Sequence, residues 1–300
     1  ELFEWKLKSQ GLLPLFEKID MPFRRIMDSC TNHGVCVDLE KLEIATTQVT
    51  EKVEAIKKKY AEQTPPINID SPKQVWKTLY YFPQNVHRQK DGTPKTDEKT
   101  LSSVREDLLK PEAKEILVYR KEKKLLSTFL LGMKNALWED GRIRPLYNLT
   151  VAKTGRTSSG GSRKSYDRSF NIQNVSKKHA IVRQLVVVPK GEKIVLLDAN
   201  SLELRVLAHY AQDEKLIEVF RKGIDPHVYT ATQLYKKEPY QIDASERSVG
   251  KTLNYACLYG STAKGLSYNL KIGPAEASEL LRFFYKTYPA ISKLKDKVLA

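Results

Sequence analysis

The tightest constraint on local conformation in this chain is Arg247-Ser-Val-Gly-Lys251-Thr-Leu-Asn-Tyr255-Ala-Cys-Leu-Tyr259-Gly260, which sets two cations and two rings at successive four-residue steps. On an α-helix each such step turns roughly 40° past a full circle, so the four side chains line one slowly winding face. Arg247 and Lys251, at i and i+4, repel each other, which makes helix stability a poor reason for the arrangement. A polyanion lying along that face accounts for the cations, and the rings below them offer a base a stacking surface. A basic surface helix with two half-buried tyrosines accounts for the same spacing, so the pattern alone leaves both readings open.

Composition favours the first. The 300 residues carry 51 Lys and Arg against 36 Asp and Glu, a formal charge of +15. An excess of that size points to a polyanionic partner, nucleic acid ahead of an anionic membrane. No run approaches the roughly 18 to 20 apolar residues of a membrane span, and Glu1-Leu-Phe-Glu-Trp5 is not a signal peptide. Cys30, Cys36 and Cys257 are odd in number and form no C-x-x-C pair, which disfavours disulfides and zinc and suits a reducing, intracellular compartment. The five histidines are scattered, none at metal-pair spacing. Both ends fall in helical-looking sequence, as expected of a fragment or processed piece.

Along the chain, apolar periodicity predicts a helix from Met21 that stops near Asn32-His-Gly34, then a second from Asp38 to about Tyr60. Ser71-Pro72 reads as N-cap and first turn of the next helix. Residues 85–99 read as a loop around Asp91-Gly92. A long helix follows over residues 111–138, with Arg120, Lys121, Lys123 and Lys124 either a solvated face or a phosphate-backbone contact. Arg144-Pro-Leu-Tyr-Asn-Leu-Thr-Val151 reads as strand, and residues 154–164, small, polar and basic, as a phosphate- or sugar-binding stretch or a plain loop.

Lys193-Ile-Val-Leu-Leu-Asp198 reads as a buried strand ending in a carboxylate. Burying an unpaired acid is costly, and magnesium is the simplest partner, because it takes one or two carboxylates with waters and substrate phosphates. Helices follow from Ser201, after Asp213 and after Gly223-Ile-Asp-Pro-His227, and Asp243-Ala-Ser-Glu246 sits where it would cap the Arg247 helix. A metal-holding acid beside a cationic face is the parts list of phosphoryl transfer, and no G-x-x-x-x-G-K-[ST] loop is present to hold the phosphates instead.

These stretches resemble the motifs of family A (polymerase-I-like) DNA polymerases. Leu197-Asp198-Ala-Asn-Ser-Leu-Glu203-Leu-Arg205 is similar to motif A, and Arg247-x-x-x-Lys251-x-x-Asn-Tyr255-x-x-x-Tyr259-Gly260 to motif B. Thr154-Gly155-Arg156 with Asn171-Ile-Gln173-Asn174 resembles the primer-template motif. Asn68-Ile-Asp-Ser71-Pro-Lys73-Gln and the helix from Tyr119 to Thr128 resemble the thumb.

The resemblance covers nearly the whole chain. It implies an α+β, mostly helical fold of right-hand polymerase architecture. Residues 1–20 would be the tail of a missing upstream domain, 21–142 thumb with adjoining palm helices, 143–210 partial palm, and 211–300 fingers.

Carried over to matching positions, Asp198 would be a catalytic carboxylate holding two Mg²⁺ ions, with the backbone carbonyl of Ala199 assisting. Arg247, Lys251 and His227 would hold the triphosphate of a dNTP. Glu203, with Tyr255, would exclude a ribose 2′-OH, and a tyrosine at position 255 goes with tolerance of dideoxynucleotides. Tyr259 would stack at the template position, with Gly260 letting the helix bend. Arg156 would contact the nucleotide side of the junction. Asn171, Gln173, Asn174, Ser71 and Lys73 would contact primer-template DNA.

The chain departs from the pattern at Ala199, where the family has an aromatic, at Ala256, where it prefers glycine, and in a basic insert over residues 160–170, a further DNA contact or a loop. No His-Asp pair of motif C follows motif B, and the carboxylates of a proofreading exonuclease are absent too. Two-metal chemistry needs a second acid. The expectation is therefore template-directed DNA synthesis by one piece of a split, cleaved or truncated polymerase, completed by a second polypeptide or segment. The alternative is a primer-template-binding subunit, inactive alone. A relative that acts on RNA is disfavoured by Glu203.

Overall fold

The computed structural model describes residues 2–80, 88–103, 109–160, 168, 170–175 and 179–299. Chain contacts divide it into two compact units, Glu1–Ile194 and Val195–Ala300.

The first unit opens with α1 (Leu2–Ser9) and α2 (Leu13–Leu15), which runs through a π-helical turn (Phe16–Asp20) into α3 (Met21–His33). Gly34 ends α3 at φ +71, and its missing Cβ matters: one there would meet the Ile143 carbonyl oxygen at 3.0 Å. The chain then forms β1 (Val35–Val37) and α4 (Leu39–Ala61), whose start Asp38 caps by accepting from the Lys41 amide at 3.0 Å. These boundaries match the periodicity closely.

After α5 (Pro72–Leu79) and α6 (Glu98–Ser103), the expected long helix appears as three continuous pieces: α7 (Glu112–Lys124), a π-helical segment (Leu125–Leu130) and α8 (Leu131–Asn135). Pro72 occupies the first turn of α5 as predicted, but the Ser71 hydroxyl makes no capping bond. The preceding turn is instead tied by Gln74, whose side-chain oxygen accepts from the Asn68 amide at 2.8 Å.

Leu42, Val49 and Val53 of α4 pack with Ile116, Tyr119, Leu130 and Met133 in one core. Each such side chain contributes about 1.5 to 3 kcal/mol by leaving water. Two buried tyrosines find acids at its rim. Tyr60 donates to Glu115 at 2.8 Å, and Tyr119 donates to Asp70 at 2.8 Å, with Lys123 2.6 Å from the same carboxylate.

Strand content is small. β2 (Arg142–Ile143) and β5 (Val186–Val187) flank β1 antiparallel, Val35 opposite Ile143 and Cys36 opposite Val187. The strand expected over residues 144–151 is only β3 (Tyr147–Asn148), paired with β4 (Ser158–Ser159). Pro145 has no amide to donate, and the partner strand is two residues long. α9 (Ala180–Gln184) precedes β5. Of the insert, residues 161–167 and 169 lie outside the described residues, while Phe170 is buried in the core.

The clearest disagreement with expectation is residues 193–198. They form no strand, and Ile194, Val195, Leu196 and Leu197 are all exposed, Leu197 at 93%. A strand exists only when a neighbour completes its hydrogen bonds, and no described segment pairs with this one.

The second unit is helical: α10 (Leu202–Ala211), α11 (Glu214–Arg221), α12 (Pro226–Tyr235), α13 (Ala244–Leu258), α14 (Ala263–Leu270), α15 (Pro274–Thr287) and α16 (Pro289–Leu299). Asp213, Asp225, Asp243 and Thr262 each cap the helix that follows, accepting from its first-turn amides. Leu253, Leu266, Ala277, Phe284, Tyr288 and Ile291 form its core.

Candidate functional site

The site in the second unit is built on α13. A capping box starts this helix: Asp243 accepts from the Ser245 and Glu246 amides, each at 2.8 Å, and Glu246 accepts from the Asp243 amide at 3.2 Å. With the start set, Leu253, Ala256 and Cys257 fall on the buried face, and Arg247, Lys251, Tyr255 and Tyr259 on the other side. Gly250 lets α12 come close, because a Cβ there would sit 2.4 Å from the His227 carbonyl oxygen. Gly260, expected to let the helix bend, stands past the C-cap Tyr259 at φ +64, where it ends α13.

Close approach of α12 and α13 gathers the predicted nucleotide residues. Arg247 donates from Nε (2.9 Å) and Nη2 (2.6 Å) to one oxygen of Asp225. The other oxygen accepts from the His227 amide at 2.7 Å and the Val228 amide at 3.3 Å. Burial pushes the Asp225 carboxyl up, but the Arg247 bonds and the helix amides outweigh it and hold the group below the usual carboxylate range. His227 is itself buried, its ring centroid 5.6 Å from that of Tyr255. Burial lowers its affinity for a proton; Asp225 opposes that effect, and Arg247 and Lys251 add to it.

Tyr255 and Tyr259 stack at 6.4 Å with an 18° interplanar angle, and the Tyr259 hydroxyl donates to Glu203 at 2.7 Å. Expected motif A and motif B residues thus meet side by side. The Tyr255 phenol is raised by burial and then by the negative charges of Glu203 and Asp198 among its neighbours.

Asp198 and Ala199 lie on the exposed, irregular approach to α10. The turn between them and the helix is held by Arg205, whose Nε donates to the Asn200 carbonyl at 2.9 Å while its guanidinium covers the Phe220 ring at 4.4 Å. Among the described residues no group of three His, Cys, Asp or Glu side chains could hold a metal ion. Asp198 fits one carboxylate position of a divalent-metal centre, and nothing described completes it.

The first unit holds the remaining predicted residues. Asn171 caps the 3₁₀ turn Ile172–Asn174 by accepting from the Gln173 amide at 3.1 Å, and it also accepts from the Ser159 hydroxyl at 2.9 Å. Gln173 reaches back to Thr157 Oγ1 at 3.0 Å. The two halves of the expected primer-template motif are therefore joined through β4, with Arg156 and Asn174 exposed beside the junction. Ser71 and Lys73 stand apart at the start of α5, Lys73 3.7 Å from Asp91.

Two residues at the centre of the α12–α13 site were missed from sequence, Asp225 and Asn254. Asp225 had a signal: an acid immediately before a proline and two before His227. Asn254 had only its place in the motif B pattern, since which face it occupies depends on where α12 packs.

Residues 39–300 match the family model for DNA polymerase family A. The chain belongs to DNA polymerase family A. Among curated members, it is 30% identical over 94% of its length to the thermostable DNA polymerase I of Thermus thermophilus. It is 29% identical over 95% of its length to DNA polymerase I of Geobacillus stearothermophilus. It spans about a third of each relative's length, 34% and 32%. Among solved structures, the POL domain of Pol1 from M. smegmatis, in complex with DNA primer-template and dNTP, superposes with a TM-score of 0.82 at 26% identity. That match covers 98% of this chain and 51% of the other. The mostly helical α+β family A polymerase fold expected from the sequence is the one found.

Proposed function

We propose that this chain serves template-directed DNA synthesis inside the cell, binding primer-template DNA and a dNTP for transfer of the deoxynucleotide to a primer 3′-OH. The observation that carries the reading is the α12–α13 face. Arg247 and Lys251 are two permanent charges of the right sign for a triphosphate, His227 sits beside them, and Tyr255 and Tyr259 supply ring surface up to Glu203. Glu203 would exclude a ribose 2′-OH, its place fixed by the Tyr259 hydroxyl. The junction of Arg156, Asn171, Gln173 and Asn174, with Ser71 and Lys73 as thumb contacts, would hold primer-template DNA. Residues 21–142 would act as thumb, 143–210 as partial palm and 211–300 as fingers.

Asp198, with the Ala199 carbonyl, would supply one carboxylate of a two-Mg²⁺ centre, which lowers the pKa of the attacking hydroxyl when assembled. The second carboxylate would come from a further segment or a second polypeptide. The bare apolar run over residues 194–197 supports this, because a strand laid against it would cover those side chains and bring an acid near Asp198. The same observation favours one alternative, a primer-template-binding subunit without activity of its own.

Single-nucleotide primer extension with the 300-residue chain and Mg²⁺, run beside binding of the same primer-template, tests the proposal. Binding without extension supports the incomplete polymerase and the binding subunit alike, which part on whether a segment carrying the second carboxylate restores extension. Extension abolished by Asp198→Ala would mean that this chain holds its own second carboxylate. Neither binding nor extension would sink the proposal.

A further inference from the structure

His227 Nδ1 lies 3.1 Å from the side-chain nitrogen of Asn254, and the direction of that contact follows from the other bonds of the amide. Asn254 is buried at 2% exposure, and its nitrogen also donates to the Pro226 carbonyl at 3.1 Å. Turned the other way, the amide would set its oxygen against that carbonyl. Its oxygen instead faces the Thr230 hydroxyl at 2.8 Å, whose single proton is shared with the Pro226 carbonyl at 2.9 Å, and the Tyr288 hydroxyl lies 3.0 Å from the same Thr230 oxygen, Thr230 and Tyr288 both fully buried. With the amide so oriented, its second N–H points at Nδ1, which must accept. A proton on Nδ1 would face that N–H, donor against donor.

We propose that Asn254 is a positioning residue that locks His227 as the neutral imidazole with its proton on Nε2, so that the site presents a triphosphate with a neutral N–H donor beside two permanent cations. This rests on the reading of the α12–α13 face as the triphosphate site. The charged and titratable groups around the ring are Asp225 from the start of α12 and Arg247, Lys251 and Tyr255 from α13. Asp225 favours the imidazolium, but its charge is shared with Arg247, and both α13 cations oppose a third positive charge. His227 then adds no pH dependence of its own to triphosphate binding across the ordinary histidine range, about 6.5.

Nitrogen NMR of the whole chain, labelled at its five histidines and with His227→Gln to assign the signal, reads the tautomer directly and needs no activity. The expected result is an Nε2-protonated, Nδ1-bare ring that does not titrate between about pH 8 and 6. Asn254→Asp replaces the donor by an acceptor, and moves the proton to Nδ1 and the imidazolium into the neutral range. Thr230→Val, close in shape, removes the hydroxyl from the Asn254 oxygen but leaves the Pro226 carbonyl to orient the amide, so its ring should keep the proton on Nε2.

On the same samples, dTTP binding in the parent should show the same pH profile as in His227→Gln, that of the terminal phosphate alone. Relative to the parent, Asn254→Asp should bind on the order of tenfold more weakly at pH 8 and close that gap toward pH 6. An Nδ1-protonated ring in the parent, or an unchanged tautomer in Asn254→Asp, overturns the proposal. If the tautomers behave as stated but dTTP binding ignores both Asn254→Asp and Arg247→Ala, the triphosphate reading fails instead.

Discussion

Helix α13 and residues 193–198 carry equally plain motif patterns, yet they differ in what holds them. α13 closes its own backbone hydrogen bonds, starts at a capping box and buries Leu253 completely. The second stretch is four apolar residues and an acid with no ladder partner among the described residues, and Leu197 stands almost wholly in water. A helix satisfies its amides from within four residues, whereas a strand depends on another segment. A motif can be read in isolation where it is helical: the expected motif B helix builds its face within one unit, and the expected motif A stretch leaves Asp198, the proposed catalytic acid, unsupported.

The largest test of this contrast is Leu253→Ala, which should cost about 2 to 5 kcal/mol through lost burial and a residual cavity. Hydrogen exchange of the α13 amides would show it, and a loss under about 1 kcal/mol would break the comparison. Gly250→Ala should follow at about 1 to 3 kcal/mol, because the new methyl collides with the His227 carbonyl and α12 must shift. Asp243→Ala removes the acceptor for two first-turn amides and should cost about 1 kcal/mol, seen as faster exchange confined to the start of α13.

Acid should act through Asp225. Its folded pKa lies below the ordinary aspartate value, so its stabilising contribution is full above that value and is lost as pH falls through the folded pKa. Asp225→Asn should remove that part of the acid sensitivity of the α12–α13 pair; an unchanged acid profile would show the ion pair to be idle. The smallest effect belongs to the other region. Leu197→Ser should change stability by no more than about 0.5 kcal/mol, as for an exposed surface residue. A loss as large as that of Leu253→Ala would mean the run is covered in solution.

Much of the candidate site was legible because helical spacing translates directly into a shared face: Arg247, Lys251, Tyr255 and Tyr259 needed only their four-residue steps. The Asp243 cap was legible in the same way, since an N-cap acts within three residues, whereas Asp38, Asp213 and Asp225 were read only as helix boundaries. Less could be read where distant segments meet. Ser159 joins Asn171 to β4, Glu203 receives Tyr259, and Asp225 takes Arg247, and each contact spans at least a dozen residues of chain. The predicted strand at residues 193–198 failed for the same reason, because hydrophobicity signals the wish for a partner and not its presence.

By itself, then, the sequence determined several helix starts, the Asp243 cap, the basic α13 face and the family. Only the tertiary structure decided that Asp225 engages Arg247, that Asn254 meets His227 Nδ1, and that Asp198 stands exposed. The physical reason is range: capping and helical periodicity act within about four residues, whereas ion pairs, buried amides and strand ladders depend on segments that the chain brings together only on folding.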